Sequence, residues 1–396
     1  MTAIVPVQPR IPIDLANFRL DLADMPFSFW HMLGQAQSKC EHILKAPLLP
    51  DVSKRMQALY LVKGAYATTA IEGNTLTEAD VMALYRKELT LPPSREYQGI
   101  EVTNIIDYMN RAYVAPLRGP LTVEEVLEMN RSVLDRLEVE THVIPGQYRN
   151  ISVAVGPYRC PPHEQVEVFM ERFVKWYNEF PESYGSIDAT SMALIKAIAT
   201  HLYFVLIHPF GDGNGRTARL LEWRTLDHAQ IAGPATHLLS NHYNLTRSKY
   251  YENLNRASMG GSLTPFLCYA VEGLRDQLAI QLAEVHEQHA SLVFASMVTS
   301  KTPGKAREVQ ARRQKLALAI AASPTPVLPS AMTTISAQLA AEYALTTPKT
   351  LARDLTALNA AGLIKKVPGG WSSVQSDMYW LHDRERRITS KPVRLR

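Results

Sequence analysis

The longest apolar stretch of the 396-residue sequence constrains the fold more than any other segment. It runs from Met192 to Phe210 and reads MALIKAIATHLYFVLIHPF. Lys196 and His201 interrupt it, so no uncharged run reaches the roughly 18 residues that a membrane span needs. The stretch therefore predicts a buried core helix, and we expect a soluble protein without a membrane segment.

The remaining sequence indicates a mainly α-helical fold with one β-hairpin. Prolines punctuate the first 51 residues, and helical patterns follow. Thr77 and Thr122 stand three residues before Asp80 and Glu125, a spacing typical of helix N-caps. Residues 145–162, PGQYRNISVAVGPYRCPP, are short, β-branched and bounded by Gly and Pro, which predicts a hairpin.

The C-terminal block has a pattern of its own. ISAQLAAEYA and TPKTLARDLTALNAAGLIKKV, separated near Leu345, predict a helix-turn-helix, and VPGGWSSVQSDMYWLHD predicts a two-stranded wing. A Pro/Ser-rich stretch before the block suits a linker. The predicted divisions are an N-terminal helical region, a core, a helix with a linker, and a winged helix-turn-helix, at residues 1–118, 119–273, 274–330 and 331–396.

The net charge and the cysteine content limit the classes of protein to which this chain could belong. Lys and Arg number 42 against 38 Asp and Glu, a net charge of +4, which is not typical of a nucleic-acid binder as a whole. From Lys301 onward the net charge is +10, and before it the net charge is −6. The three cysteines are far apart, which favours a reducing compartment. Because the N-terminus also lacks a signal-peptide pattern, we expect a cytoplasmic protein.

The segment from His208 to Arg219, HPFGDGNGRTAR, contains the clearest chemistry. Gly211, Gly213 and Gly215 allow the backbone to approach a ligand closely. The helix predicted to begin near Asn214 directs its free N–H groups and the positive end of its dipole into this loop. The loop therefore predicts an anion site.

The charged residues of the same segment extend this prediction. Arg216 and Arg219 are three positions apart, and either can bind phosphate oxygens through two donors. Asp212 is a single carboxylate beside the loop, which suits Mg²⁺ bound together with substrate phosphates. His208 can act as a general base at neutral pH.

Other interpretations of the loop are weaker. It follows no evident strand, which argues against a Rossmann site, and it lacks the Gly-Lys-Ser/Thr ending of a P-loop. A lone histidine after an apolar helix, or one aspartate between glycines, is more often structural. The combination of a base, a carboxylate, an anion site and two arginines within twelve residues favours an active site.

The segment resembles the Fic motif, H-P-F-x-[D/E]-G-N-G-R-x-x-R, with every fixed position filled. The resemblance covers roughly residues 121–273 and implies the Fic/Fido helical core with a hairpin flap. It also implies transfer of AMP from ATP to a Ser, Thr or Tyr hydroxyl of a protein. In that reaction His208 would be the base and Asp212 would hold Mg²⁺. The resemblance assigns contacts with the nucleotide to Gly213, Asn214, Gly215, Arg216 and Arg219.

The resemblance assigns two further parts of the nucleotide site. The turn of the flap hairpin should face the nucleotide, and its exposed edge could pair with an extended target segment. A helix near residue 250 often contacts the nucleotide in the family, although its aromatic residues could equally be core. The residues concerned are Val155, Gly156, Pro157 and Tyr158 in the turn, and Tyr250 and Tyr251 on the helix.

A second motif lies upstream. Thr68 to Gly73, TTAIEG, resembles the inhibitory motif [S/T]-x-x-x-E-[G/N] of the same family. Thr68 and Glu72 are four positions apart and so share a helix face. The family implies that Glu72 reaches Arg219 and occupies the arginine that the γ-phosphate needs. We therefore expect an auto-inhibited enzyme that also modifies itself.

Several alternatives stay open at the level of sequence. The transferred group could be UMP, phosphate or phosphocholine, and Glu72 could help to remove AMP. A nucleotide-sensing DNA-binding regulator is the rival class. The net charge of residues 331–383 is zero, so DNA contact would use the basic flanks on either side. We also expect a homo-oligomer.

Overall fold

In a computed structural model of the chain, the structure describes residue 18 and residues 20–46, 49–115, 119–231, 233–260, 262–344 and 346–379. The helices in these residues are α1 (Phe27–Lys45), α2 (Pro50–Ile71), α3 (Glu78–Tyr85), α4 (Glu96–Val114), α5 (Val123–Val133), α6 (Val166–Glu179), α7 (Ala189–Ile207), α8 (Asn214–His228), α9 (Leu238–Leu245), α10 (Arg247–Gly260), α11 (Thr264–Lys301), α12 (Arg307–Ala322), α13 (Ala337–Ala344) and α14 (Pro348–Ala360). The strands are β1 (Ala154–Val155), β2 (Tyr158–Arg159), β3 (Ile364–Val367) and β4 (Gly370–Ser373).

The predicted mainly helical fold is confirmed. Strands β1 and β2 pair antiparallel, with Val155 opposite Tyr158, as a hairpin in the predicted segment. Helix α1 was missed, because prolines around it obscured the apolar residues at helical spacing. Phe29, Leu33 and Ala36 are among the residues that it buries.

Helix α7 is the predicted core helix. It is long and apolar enough by composition to span a bilayer, but 83% of its most apolar window is buried inside the protein. Asp188 caps its first turn, since the Asp188 side chain accepts a hydrogen bond from the Ser191 N–H at 2.9 Å. Such a cap stabilises a helix by about 1 kcal/mol. Helix α7 packs against α8, so the loop between them is held by two buried helices.

Helix α2 is packed tightly into the same body. It contacts α9 and the short turn Gly233–His237. A Cβ placed on Gly64 would lie 2.5 Å from Nδ1 of His237, so only glycine allows this approach. The predicted caps are also present nearby, as Thr77 forms a capping box with Asp80 at the start of α3.

The chain divides into two compact units between Gln281 and Leu282, within α11. In the second unit, α13, α14 and the antiparallel pair β3–β4 follow one another in the order expected for a helix-turn-helix and wing. Helix α12 lies in the stretch predicted to contain a linker, and it contributes Leu316 and Ile320 to the core of this unit. The winged-helix class and the four divisions remain predictions.

Candidate active site

His208 lies where α7 ends, in a left-handed backbone conformation with φ 52° and ψ 59°. This conformation is uncommon for a residue other than glycine, so the surroundings must hold it. Arg149 does so, because its Nε donates to the His208 carbonyl at 2.8 Å and its two other nitrogens donate to the carbonyls of Ile151 and Pro161. Arg149 thereby joins the flap segment to the catalytic loop.

The His208 ring is half-buried and oriented by the backbone. Its Nδ1 lies 3.3 Å from the carbonyl oxygen of Val205. Since a carbonyl oxygen only accepts, Nδ1 carries the hydrogen and Nε2 is left as the proton acceptor. Burial, helped by the charge of Arg149, lowers the pKa of His208 to about 4. The imidazole is therefore neutral at pH 7 and able to take a proton.

The loop after His208 is fixed by side chains that bind its backbone. The Asn214 amide accepts from the Phe210 N–H at 2.9 Å and donates to the Phe210 carbonyl at 2.8 Å. Asn130 donates to the Asp212 carbonyl at 3.0 Å. Gly213 precedes α8 with φ 76°, which favours glycine. The Asn214 side chain is thus committed to the loop, and its backbone remains at the first turn of α8.

Glu72 occupies the space in front of this first turn. A Cβ placed on Gly215 would lie 2.1 Å from Oε1 of Glu72 and 3.2 Å from Nη1 of Arg219. The carboxylate thus sits directly against the backbone of the first turn of α8, where helix N–H groups lack intrahelical partners and attract anions. A carboxylate of the protein occupies the anion site.

Arg219 is buried, and Thr68 and Glu72 of α2 and its C-terminal end hold it. Its Nη2 donates to Oε1 of Glu72 at 2.6 Å, and its Nε donates to Oγ1 of Thr68 at 2.6 Å. Burial opposes the charge of Glu72, yet Arg219 and, more weakly, Arg216 hold the pKa of the Glu72 carboxyl below its ordinary value. Burial likewise opposes the charge of Arg219, whose pKa Glu72 raises. The predicted contact between Glu72 and Arg219 is present.

Arg216 is placed differently. Its Nη1 donates to Oε1 of Glu101, on α4, at 2.8 Å, and its Nη2 lies 3.3 Å from Oδ1 of Asp212. The Arg216 side chain is only 6% exposed, whereas that of Asp212 is 51% exposed. The two arginines of the motif therefore bind different carboxylates.

A cavity of about 260 Å³ lies between the flap hairpin and α10, and Val205 and Leu206 of α7 also line it. Most of its lining is apolar, including Val155, Pro157 and Leu254. Tyr251 also lines it and donates its hydroxyl to the Ile71 carbonyl at 3.2 Å. Tyr250 is buried instead, and its hydroxyl lies 3.1 Å from Nε2 of His201.

The remaining predicted residues also lie at this cavity. Gly156 forms the hairpin turn with φ 58°, and Tyr158 donates its hydroxyl to the Leu206 carbonyl at 2.9 Å. A larger cavity, of about 660 Å³, is lined by residues such as Arg172 and Trp176 and contains none of the predicted site residues. Size alone therefore does not identify the site.

Four residues of the site were not predicted to have these roles. Glu101, Arg149 and Asn130 are isolated polar residues in the sequence, and only Arg149 lay in a segment singled out for other reasons. Thr68 was recognised as the first position of the motif and as sharing a helix face with Glu72, but its contact with Arg219 was not predicted. A single buried polar residue on an amphipathic helix gives no periodic signal, because its partner is distant in the sequence.

The site offers a carboxylate, that of Asp212, as a ligand for a metal ion. Among the described residues, no group of three or more His, Cys, Asp or Glu side chains could hold an ion. Asp212 is one exposed carboxylate beside an anion site, and Mg²⁺ commonly uses one or two carboxylates with substrate phosphates. Taken together, a neutral imidazole, a helix N-terminus suited to anions and an apolar cavity are the elements that group transfer from a phosphate-containing ligand requires.

The comparisons with known proteins agree with this class. Residues 120–226 match the model of the Fic/DOC family. The matched residues include the flap, His208 and Arg219, so this part of the chain is similar to the Fic/DOC family. A Fic family protein of Desulfovibrio desulfuricans has the same fold, with a TM-score of 0.56 and 19% identity, over 87% of this chain and 92% of that one.

The curated relatives share less of their length. "Protein adenylyltransferase fic-1" of Caenorhabditis elegans is 30% identical over 234 residues, which are 58% of this chain and 42% of that protein. "Protein adenylyltransferase Fic" of Nematostella vectensis is 28% identical over 266 residues, 65% of this chain and 57% of that protein. The chain thus spans about half of the curated relatives that it matches.

Proposed function

We propose that this protein is an auto-inhibited protein adenylyltransferase, which transfers AMP from ATP to a hydroxyl of a protein target and of itself. The observation that carries the proposal is the neutral His208 beside an anion site already filled by Glu72. The named activity of the curated relatives supports it. A regulator that only senses a nucleotide would need no base, so the transferase is the better explanation of His208.

The chemical step follows from the placement of His208. Nε2 takes the proton of a Ser, Thr or Tyr hydroxyl, and the hydroxyl oxygen forms a bond to the α-phosphorus of ATP. The bond from that phosphorus to the oxygen bridging the α- and β-phosphates breaks, and pyrophosphate leaves with the electron pair. Backbone N–H groups from Gly213 to Gly215 stabilise the charge on the transferring group. Positioning and electrostatics supply most of the rate.

The nucleotide would lie across three parts of the site. Its phosphates would take the place of the Glu72 carboxylate, beside Arg219 and Arg216. Its base would enter the cavity lined by Val155, Pro157 and Tyr251. Mg²⁺, when bound, would neutralise phosphate charge, and Asp212 is the side chain that would hold it. Glu72 inhibits because it must leave Arg219 and the first turn of α8 before the outer phosphates can bind there.

The flap supports a way of presenting the target. Strands β1 and β2 form a two-stranded sheet, and both residues of β1 are exposed. An extended segment of the target could pair with this edge and bring its hydroxyl towards His208. Because this pairing uses backbone hydrogen bonds, it would depend little on the side chains of the target. The homo-oligomer, the contact with DNA through the C-terminal region and the cytoplasmic location stay predictions.

The experiment that tests the function is mass spectrometry of the Glu72→Gly variant after incubation with ATP, UTP or CDP-choline in turn. We expect a mass gain of one AMP with ATP, on a hydroxyl of the protein itself. The matched control carries His208→Ala as well and should gain nothing. A gain of UMP or phosphocholine, with none of AMP, would contradict the proposed specificity.

A further inference from the structure

Glu101, on α4, contacts both Asn74, which follows the end of α2, and Arg216, on α8. Its Oε2 accepts a hydrogen bond from Nδ2 of Asn74 at 2.9 Å. Its Oε1 accepts one from Nη1 of Arg216 at 2.8 Å. Arg216 in turn lies 3.3 Å from Asp212, so four side chains connect the residue two positions after Glu72 to the predicted metal carboxylate.

The side chains of Glu101 and Arg216 are both largely buried, so the loss of their contact would leave a charge without a partner. The Arg216 side chain is 6% exposed and that of Glu101 is 16% exposed. Nε of Arg216 has no hydrogen-bond partner in the described part of the chain, so its charge is compensated through the other two nitrogens. Without the charge of Glu101, the buried guanidinium would be left with Asp212, the other carboxylate that it contacts in the described part of the chain.

Asn74 relates this arrangement to the inhibitory motif. Besides Glu101, its Nδ2 donates to the Gln98 carbonyl at 2.9 Å, which fastens the turn after Glu72 to α4. The body of α2 is held by the close approach of Gly64 to His237. A movement of the last turn of α2 that released Glu72 would therefore alter the contact of Asn74 with Glu101.

We propose that Glu101 is a positioning residue: it shares the charge of Arg216, which would otherwise pair with Asp212 alone, and its contact with Asn74 makes this sharing depend on the end of α2 that carries Glu72. The proposal rests on the proposed function, because it concerns the binding of ATP with Mg²⁺. It assigns to α4, which lies outside the Fic/DOC match, a part in the phosphate site.

The first test measures binding without transfer. In a chain carrying Glu72→Gly and His208→Ala, ATP binding is titrated by calorimetry at increasing Mg²⁺. We expect Glu101→Gln to raise the Mg²⁺ concentration for half-maximal binding by about tenfold, the scale of one lost charge-assisted hydrogen bond. Glu96→Gln, the same change at an exposed position of the same helix, should leave that concentration unchanged.

The outcomes separate this role from the proposed function. Equal Mg²⁺ dependence with and without Glu101→Gln would overturn the role of Glu101, even if the melting temperature fell. Absence of ATP binding in the parent chain would overturn the proposed function and this role together.

The second test concerns coupling. Asn74→Ala should raise AMP transfer several-fold when Glu72 is present, and should add nothing once Glu72 is glycine. An equal effect of Asn74→Ala in both backgrounds would remove Asn74 from the proposal.

Discussion

Nη2 of Arg219 lies 2.6 Å from Oε1 of Glu72, although the two residues are 147 positions apart in the sequence. The same carboxylate oxygen lies against Gly215, at the first turn of α8. Glu72 therefore uses both the cationic side chain and the backbone anion site. Under the proposed function this ion pair inhibits the enzyme, because the outer phosphates would need the place that the carboxylate occupies.

The first prediction concerns this ion pair. Replacing Glu72 with glycine should raise the rate of AMP transfer by about tenfold to a hundredfold, because the anion site and Arg219 become free for the outer phosphates. The measurement is incorporation of α-labelled ATP into the protein itself. Glu88→Gly, at an exposed position after α3, is the control and should leave the rate unchanged. An unchanged or lower rate in Glu72→Gly would refute the inhibitory role.

The second prediction separates binding from chemistry. His208→Ala, made in the Glu72→Gly chain, should lower AMP transfer by about a hundredfold or more while ATP still binds, because the imidazole removes a proton but does not grip the phosphates. Calorimetry gives the affinity and label incorporation gives the rate. His31→Ala, on the surface of α1, should change neither. Transfer at the parent rate in His208→Ala would exclude the base.

The third prediction uses the contact between Gly215 and Glu72. Gly215→Ala should displace the carboxylate, since its Cβ would lie 2.1 Å from Oε1 of Glu72. The same Cβ would block the phosphates, so this variant should stay inactive, unlike Glu72→Gly. Gly34→Ala, in helix α1 with no atom within 4 Å of the new Cβ, should fold and label as the parent does. Strong self-labelling by Gly215→Ala would show that the phosphates bind elsewhere.

The fourth prediction is a pH profile. Burial lowers the pKa of His208 to about 4, and Glu72 opposes this lowering, so removing Glu72 cannot bring the pKa closer to 6.5. We therefore expect that titration of His208 does not change kcat/KM of the Glu72→Gly chain between about pH 5.5 and pH 8. An acid limb near 6.5, the value of an ordinary histidine, would contradict a buried neutral imidazole.

The lowered pKa of His208 also makes the folded state less stable at acidic pH. A histidine whose pKa is lower in the folded state binds its proton mainly when unfolded, so stability falls as pH drops below about 6.5. His237, which is buried and has a pKa of about 3, should add to this loss. The pH series therefore needs a parallel circular-dichroism record, and rates count only where the fold persists.

Much of the local structure follows from short-range patterns. The apolar run before His208 predicted the core helix α7, and Thr77 and Thr122 marked helix starts because caps act within one turn. The Gly and Pro around residues 145–162 predicted the hairpin for the same reason. Helix α1 was missed because proline is a strong but local signal, which says nothing about the residues between two prolines.

The contacts that organise the site are of another kind. The sequence by itself determined which chemical groups the segment from His208 to Arg219 brings together. The glycines, the start of the helix and the charged residues all lie within twelve positions of one another. Only the tertiary structure decided that Glu101 compensates Arg216 and that Arg149 holds the His208 backbone. These partners lie on other elements, and a buried charge selects its partner by distance and desolvation, which depend on packing rather than on order along the chain.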